Sequence, residues 1–194
     1  MVTISNMIMI GSGGRNAGKT FAAMELVRRF KTEAAKNSPI RLIGLKVTGV
    51  EKSNGVCPRG GKGCGACAIN GDFCLSEEKN NACDKDTSLL LAAGADKVFW
   101  LRCLRASFES GIAAFLKEID PAGNGKGHDK TIIICESNSL RNSVLPGLFV
   151  MIKNNETPKP SAASVADLAD LSLQNPVSKD DLDLLYALAR QRCI

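Results

Sequence analysis

A glycine-rich segment near the amino terminus carries the strongest chemical signal in the chain. Two glycines separated by four residues are followed by a lysine and a threonine, and an apolar run at residues 7–10 precedes them. Glycines let such a loop turn its amides toward a polyphosphate, the lysine can bridge the terminal phosphates, and the threonine hydroxyl can bind Mg²⁺. The pattern predicts a phosphate-binding P-loop for ATP or GTP, formed by Gly13, Gly14, Arg15, Asn16, Ala17, Gly18, Lys19 and Thr20.

A Mg-nucleotide site of this kind usually includes a carboxylate at the end of a neighbouring strand. Glu136 directly follows the apolar run at residues 131–135, so we expect it to order Mg²⁺ or a water molecule. Lys46 ends another predicted strand, where its charge could meet a phosphate or could simply be solvated. Asp86 and Asp84 are further candidates, as site contacts or as helix caps. The predicted catalytic residues are Lys19, Glu136 and Lys46, with Asp86 beside the nucleotide.

Five of the eight cysteines fall in a glycine-rich segment, residues 49–84, that has few apolar side chains. Such a segment cannot order itself by burial, so a metal that crosslinks thiolates would account for it. Thiolates suit Zn²⁺ or an iron–sulfur cluster, and the neighbouring glycines slightly favour the cluster. An ordinary loop with free thiols is the alternative. The predicted ligands are Cys57, Cys64, Cys67 and Cys74, with Cys83 as a further candidate.

The remaining chain alternates between strand and helix patterns. Apolar runs predict strands at residues 7–10, 40–47, 97–101, 131–135 and 148–152. Helical patterns lie at residues 21–35, 86–93 and 108–119, and a last helix is predicted to follow Ser178 as its N-cap. The composition of residues 49–83 predicts no regular structure.

This alternation predicts a three-layer α/β fold, in which a mainly parallel sheet is covered by helices on both faces. We interpret residues 1–194 as a single Rossmann-like P-loop NTPase domain with residues 49–84 as a cysteine-rich, metal-binding insertion. Parallel sheets bind ligands at the carboxyl ends of their strands. Besides the P-loop, this rule favours residues 46–49, 102–105 and 136–141.

Composition and charge limit the class of protein. The 194 residues are 44% hydrophobic and 23% charged, which is ordinary for a soluble globular domain. The net charge is +5, from 25 basic and 20 acidic residues, and with one Trp and one Tyr we expect no nucleic-acid partner. We expect no membrane partner and a cytoplasmic location, because neither a transmembrane stretch nor a signal peptide is evident. Cysteines in a reducing compartment favour metal or redox chemistry over disulfides.

The order of motifs resembles the molybdopterin-guanine dinucleotide biosynthesis protein B family of P-loop proteins. The resemblance rests on residues 13–20, on Leu45-Lys46-Val47-Thr48, and on Asp86-Thr87-Ser88 leading to Ala92-Ala93-Gly94-Ala95 and the strand at residues 97–101. It implies a GTP-binding protein, usually a homodimer, that assists attachment of a nucleotide to the molybdenum cofactor.

Carried over by position, the resemblance implies phosphate and Mg²⁺ contacts for Gly18, Lys19 and Thr20, with Lys46, Asp86 and Glu136 in the site. The sequence departs from the family at Val47, where a histidine is expected. The cysteine segment is also foreign to most members.

Three functions remain open at this point. The first is an NTPase that assists metallocofactor assembly, with a metallocofactor or metalloenzyme partner. The second is a small-molecule kinase whose cysteine loop is a structural zinc staple, and the third is a non-catalytic nucleotide switch or adaptor. The nucleotide is also open between ATP and GTP. Residues 153–156 partially match the Asn-Lys-x-Asp string of guanine-selective proteins but could equally form a polar turn.

Overall fold

Seven strands of the described chain form one sheet. The computed structural model describes residues 1–14, 17–35, 39–51, 69–121 and 130–194. The strands follow the order β3-β4-β2-β5-β1-β6-β7; β3 is antiparallel to β4, and every other neighbouring pair is parallel. Their bounds are β1 (Val2–Ser12), β2 (Arg41–Val50), β3 (Phe73–Glu78), β4 (Lys97–Leu104), β5 (Thr131–Glu136), β6 (Val144–Lys153) and β7 (Leu171–Gln174).

Helices cover both faces of this sheet. Side chains of β1 alternate between the faces, with Ile8 and Ile10 in one apolar cluster and Met7 and Met9 in the other. The first cluster includes residues of α1 (Lys19–Ala34), α2 (Asp86–Ala92) and α5 (Lys179–Cys193). The second includes residues of α3 (Phe108–Ile119) and α4 (Pro160–Ala163). The predicted three-layer α/β architecture with a mostly parallel sheet is confirmed.

Two edge strands were not predicted from the sequence. The strand β3 lies inside residues 49–83, so the prediction of no regular structure there is wrong for Phe73–Glu78. Its residues are mostly half-buried, and only the first half of its sequence, FCLSEE, is apolar. It is an edge strand that pairs with β4 on one side. The strand β7 has four residues, of which only Leu173 is buried. Both strands depend on a longer neighbour rather than on their own pattern.

Two helix starts test the predicted caps. Ser178 accepts a hydrogen bond from the Asp181 amide and the Asp181 carboxylate returns one to the Ser178 amide, so the predicted N-cap of α5 is confirmed as a capping box. At α2 the N-cap position is Lys85 and Asp86 is the first helical residue, so neither aspartate caps this helix. The Asp86 carboxylate is therefore available to other partners. None of the helices in the described ranges combines the length and apolar character needed to cross a membrane.

Candidate functional site

The carboxyl ends of three adjacent strands bring the predicted site residues together. Glu136 at the end of β5 is in register with Ile10 of β1 on one side and with Lys46 of β2 on the other. Because α1 begins shortly after β1, Lys19 and Thr20 lie beside the same strand ends. These residues and Asp86 line a cavity of about 720 Å³. The sequence-based prediction that they share one site is therefore consistent with their positions.

The loop between β1 and α1 is fixed by neighbouring polar side chains. The Ser12 amide donates to Asn138 Oδ1 at 2.8 Å, and Asn138 Nδ2 donates back to the Ser12 carbonyl at 2.9 Å. Gly14 packs against Asn154 so closely that a Cβ would lie 2.6 Å from Asn154 Nδ2. Gly18 precedes α1 with a φ of +85°, a conformation that favours glycine. The predicted contacts Arg15 and Asn16 lie outside the described residues, whereas Gly13, Gly14, Ala17 and Gly18 are all part of this loop.

Lys19 is a half-buried cation with a neutral hydroxyl partner. Its Nζ donates to Ser12 Oγ at 2.7 Å, and Ser12 Oγ donates in turn to the Gly14 carbonyl. Burial lowers the pKa of the Lys19 ammonium, and the nearby charge of Glu136 opposes that shift. Lys19 is the first residue of α1, and the positive end of the helix dipole there also favours an anion.

Glu136 is the most buried acid of the site. Its Oε2 accepts a hydrogen bond from Thr20 Oγ1 at 3.1 Å, and its side chain is 3% exposed. Its Oε1 is buried and has no hydrogen-bond partner among the described residues. Burial raises the pKa of Glu136 to about 7, the charge of Asp86 adds to this increase, and Lys46 and Lys19 oppose it. One carboxylate oxygen thus remains available to a ligand.

Lys46 forms an ion pair with Asp86 across the cavity. Its Nζ donates to Asp86 Oδ2, and both side chains remain about one-third exposed. The sequence left Lys46 open between a phosphate contact and a solvated strand end; the structure gives it Asp86 as a partner, and the phosphate contact stays a prediction. The pair also holds the start of α2 close to the end of β2. A ligand phosphate would compete with Asp86 for this ammonium.

The cavity continues past Glu136 to the ends of β2 and β4. Val47, Thr48 and Gly49 line it from β2, and Arg105 lines it directly after β4. Thr48 Oγ1 accepts a hydrogen bond from the indole Nε1 of Trp100 at 3.0 Å. Arg105 Nε lies 3.3 Å from Glu51 Oε1 in a largely exposed ion pair.

Several lining residues were found only in the structure. Asn138 and Ser139 fall inside the favoured range 136–141, but no individual role was predicted for them. Lys159 and Ser161 also line the cavity and follow β6 at a distance of several residues. Asn138 could have been identified as a polar residue shortly after the end of β5, whereas no local pattern indicates that Lys159 returns to this edge.

The described cysteines fall into two groups. Cys74 lies on β3, where its Sγ accepts a hydrogen bond from Arg102 at 3.1 Å, and Cys83 Sγ accepts one from Asn80 Nδ2 at 2.9 Å. Cys57, Cys64 and Cys67 lie outside the described residues, so the predicted thiolate site stays a prediction. Within the described ranges, no cluster of three or more His, Cys, Asp or Glu residues is placed to hold a metal. The other described cysteines are buried core residues: Cys103, Cys135 and Cys193.

The segment at residues 153–156 adjoins the β1–α1 loop. Asn154 Nδ2 donates to Glu156 Oε2 at 3.1 Å, and a Cβ on Gly13 would lie 2.9 Å from Asn154 Oδ1. That oxygen is buried and has no hydrogen-bond partner among the described residues. The segment therefore lies directly beside Gly13 and Gly14 of the loop. Its role in base recognition stays a prediction.

No protein-family model matches the chain, and neither a curated protein nor a solved structure is significantly similar to it.

Proposed function

We propose that this protein is a Mg-dependent P-loop NTPase that assists metallocofactor biosynthesis. The observation that carries the proposal is the convergence of Lys19, Thr20 and Glu136 at the end of β1, with Thr20 hydrogen-bonded directly to Glu136. These are the residue types that bind a triphosphate and its metal in P-loop proteins. The mostly parallel sheet is compatible with that fold.

The triphosphate would lie at the β1–α1 loop. Among the described residues Lys19 donates to the neutral Ser12 hydroxyl, and burial has removed part of its hydration, so a phosphate oxygen would be a stronger partner. The first turn of α1 adds unpaired amides and a positive dipole end. Gly13 and Gly14 leave no Cβ beside Asn154, which keeps the loop close to the end of β6.

Mg²⁺ fits the donor set beside this loop. Thr20 Oγ1 and the Glu136 carboxylate would hold it directly or through water, because hard oxygen ligands suit this ion. The unpartnered Glu136 Oε1 supports this assignment, since a buried acceptor without a partner is costly and a cation would remove that cost. When bound, Mg²⁺ neutralises charge on the phosphates during transfer.

Hydrolysis would depend on positioning and on charge. Lys19 would hold the terminal phosphates, Glu136 would order the metal or the attacking water, and Lys46 could exchange its Asp86 partner for a phosphoryl oxygen. The nucleotide is ATP or GTP, and GTP is favoured by the family resemblance alone. We expect residues 153–156 to contribute to that choice.

The metallocofactor role rests on the thiols and on the resemblance. Cys57, Cys64, Cys67 and Cys74 would hold an iron–sulfur cluster or Zn²⁺, with Cys83 as a further candidate ligand. The site would sense or deliver metal to a metallocofactor or metalloenzyme partner. A cytoplasmic homodimer that binds neither membranes nor nucleic acid completes the proposal.

A small-molecule kinase is the second candidate. The extension of the cavity beyond Glu136 to Gly49 and Arg105 favours it, because hydrolysis alone needs only a water molecule on that side. Its cysteine loop would then be a structural zinc site. Phosphate release in the absence of any acceptor separates the NTPase from the kinase.

Nucleotide binding is tested by calorimetry on the wild type, Lys19→Ala and Lys117→Ala with Mg-ATP and Mg-GTP. Loss of the Lys19 ammonium should reduce affinity roughly 10- to 100-fold, because charge-assisted hydrogen bonds contribute about 1.5–3 kcal/mol. Lys117 is exposed on α3 and does not line the cavity, so Lys117→Ala should bind as the wild type does. Full affinity in Lys19→Ala, or no heat from either nucleotide in the wild type, would contradict the proposal.

A further inference from the structure

The candidate cavity is wider than a triphosphate site at one loop requires. It extends from the β1–α1 loop across β5 to β2 and to Arg105 after β4. In the sheet order β2 is two strands from β1 and β4 is three strands away. With neighbouring strands about 4.8 Å apart, these ends lie roughly 10 and 14 Å from the end of β1. The far half of the cavity, defined as Val47, Thr48, Gly49, Arg105 and Ser139, is therefore a second compartment of the same cavity, distinct in position from the β1–α1 loop.

The far half has a polar wall beside Gly49, a residue without a side chain. A Cβ on Gly49 would lie 3.1 Å from Ser139 Oγ and 3.2 Å from Phe108 Cζ, so glycine lets Ser139 pack closely against β2 at this wall. Ser139 is 8% exposed, and its hydroxyl lies at that wall. Thr48 Oγ1 accepts the indole proton of Trp100, so its position is fixed while its own proton can be donated. Neighbouring side chains on a strand point to opposite faces, so Thr48 lies on the Trp100 side of β2, whereas Ser139 and Arg105 lie together on the Gly49 side.

The charges around the cavity favour an anion. Four cations of the described residues line it, Lys19, Lys46, Lys159 and Arg105, against the two carboxylates of Asp86 and Glu136. Arg105 is paired with Glu51, but the Glu51 side chain is 66% exposed and does not line the cavity. Exposed ion pairs contribute little stability, so a ligand can replace Glu51 at small cost. A guanidinium is well suited to a phosphate because it can donate two parallel hydrogen bonds.

We propose that the far half of the cavity binds a small molecule carrying a phosphomonoester, with Arg105 and the Ser139 hydroxyl, which lie together beside Gly49, as its contacts. The ligand would lie beside the terminal phosphate of a nucleotide at the β1–α1 loop, and in this respect the proposal rests on the proposed function. Lys46, between the two compartments, would contact either phosphate after release from Asp86.

The test is a ³¹P NMR titration with glycerol 3-phosphate and with inorganic phosphate, in the absence of nucleotide. The Lys19→Ala variant removes the competing anion site at the loop and should retain glycerol 3-phosphate binding. Arg105→Gln in that background should weaken it about tenfold, in line with the loss of a charge-assisted contact. Arg192→Gln is the matched control, because Arg192 has similar exposure and is also ion-paired but lies outside the cavity lining.

Three results would overturn the proposal. The first is that neither glycerol 3-phosphate nor inorganic phosphate binds to Lys19→Ala. The second is that the Arg105→Gln and Arg192→Gln variants bind glycerol 3-phosphate equally. The third is that Arg105→Gln loses affinity for the Mg-nucleotide, which would place the nucleoside in the far half of the cavity. Failure of the proposed function is distinguishable: the wild type would show no nucleotide binding while glycerol 3-phosphate binding persisted.

Discussion

The position of Glu136 at the end of β5 determines its burial and its pKa. A carboxylate directly after a central strand is enclosed by the two neighbouring strand ends, and here it is 3% exposed. Burial raises its pKa to about 7, so in the absence of metal a large part of it is protonated at neutral pH. A cation bound at the free Oε1 would favour the ionised form. Proton release and metal binding at this residue should therefore be linked.

The pH dependence of the free energy of unfolding, measured on metal-free and nucleotide-free protein, tests whether burial raises the pKa of Glu136. Between pH 4.5 and 7 the folded chain retains a proton on Glu136 that the unfolded chain has released, so the free energy of unfolding falls as pH rises. Relative to Glu136→Gln, the wild type should lose about 3 kcal/mol across this range, given the shift from 4.5 to about 7. Urea unfolding of both proteins at a series of pH values between 4.5 and 8 measures it.

The control for this prediction is Glu109→Gln, whose side chain is 63% exposed. An exposed carboxylate loses little hydration on folding, so this variant should follow the wild type at every pH. A difference between wild type and Glu136→Gln that stays constant with pH would show that the Glu136 carboxyl is hydrated in the folded protein.

Local motifs predicted the central residues of the site but not their partners. Lys19 and Thr20 follow from a short contiguous pattern, and Glu136 follows from its position after an apolar strand. The reciprocal bonds between Asn138 and Ser12 join residues 126 positions apart. The Lys46–Asp86 pair likewise depends on how α2 meets β2. Such contacts are set by the topology, and a single sequence does not contain their geometry.

At the scale of elements, the turn into α1 depends on one backbone conformation. Gly18 has a φ of +85°, and a Cβ there would lie 3.1 Å from Asn175 Oδ1. Gly71 has a similar φ of +82° but nothing within 4 Å of such a Cβ. Alanine variants at the two positions share the same backbone strain, but only the variant at Gly18 adds a steric contact beside the candidate site. Comparing them therefore distinguishes these effects.

Gly18→Ala and Gly71→Ala should each destabilise the protein by about 1–2 kcal/mol, because alanine disfavours the left-handed region. Gly18→Ala should be the more destabilising of the two, because of the contact with Asn175, and it alone should weaken nucleotide binding. Urea unfolding gives the first comparison and calorimetry with Mg-ATP and Mg-GTP gives the second. Equal nucleotide affinity in both variants would show that the turn at Gly18 is not part of the nucleotide-binding site.

Central strands were predictable, and strands at the edges of the sheet were not. The strands β1 and β5 have continuous apolar runs because both of their faces are buried, and that pattern is visible in the sequence. The strand β3 has one neighbour and half-buried side chains, so its composition resembles that of a loop. The cysteine-rich composition around it masked the strand further.

At the scale of the whole molecule, β3 connects the cysteine-rich segment to the sheet. Cys74 is one residue inside this strand and accepts a hydrogen bond from Arg102 of β4. At the other end of β3, the Thr87 hydroxyl donates to Glu78 Oε2 at 2.8 Å, one residue from Asp86 of the candidate site. A metal bound through Cys74 would thus be anchored to an element that also contacts the start of α2.

Metal content tests the predicted thiolate site. Anaerobically purified protein should contain iron and sulfide with a brown colour, or zinc if the site is structural, and Cys74→Ser should lower the bound metal because one ligand is lost. Cys193→Ser should not, since Cys193 is a buried core residue at the end of α5. Elemental analysis of the three proteins measures this. Metal-free wild type, or equal metal in Cys74→Ser, would contradict the assignment.

The hydrogen bond from Trp100 to Thr48 has an optical consequence. Trp100 is the single tryptophan of the chain, and the guanidinium of Arg102 stacks on its ring at 4.9 Å. Its indole therefore bridges a threonine of the cavity wall and an arginine that contacts Cys74. A ligand in the cavity or a metal at Cys74 should each alter the fluorescence emission of Trp100. Intrinsic fluorescence can therefore report on both places without a label.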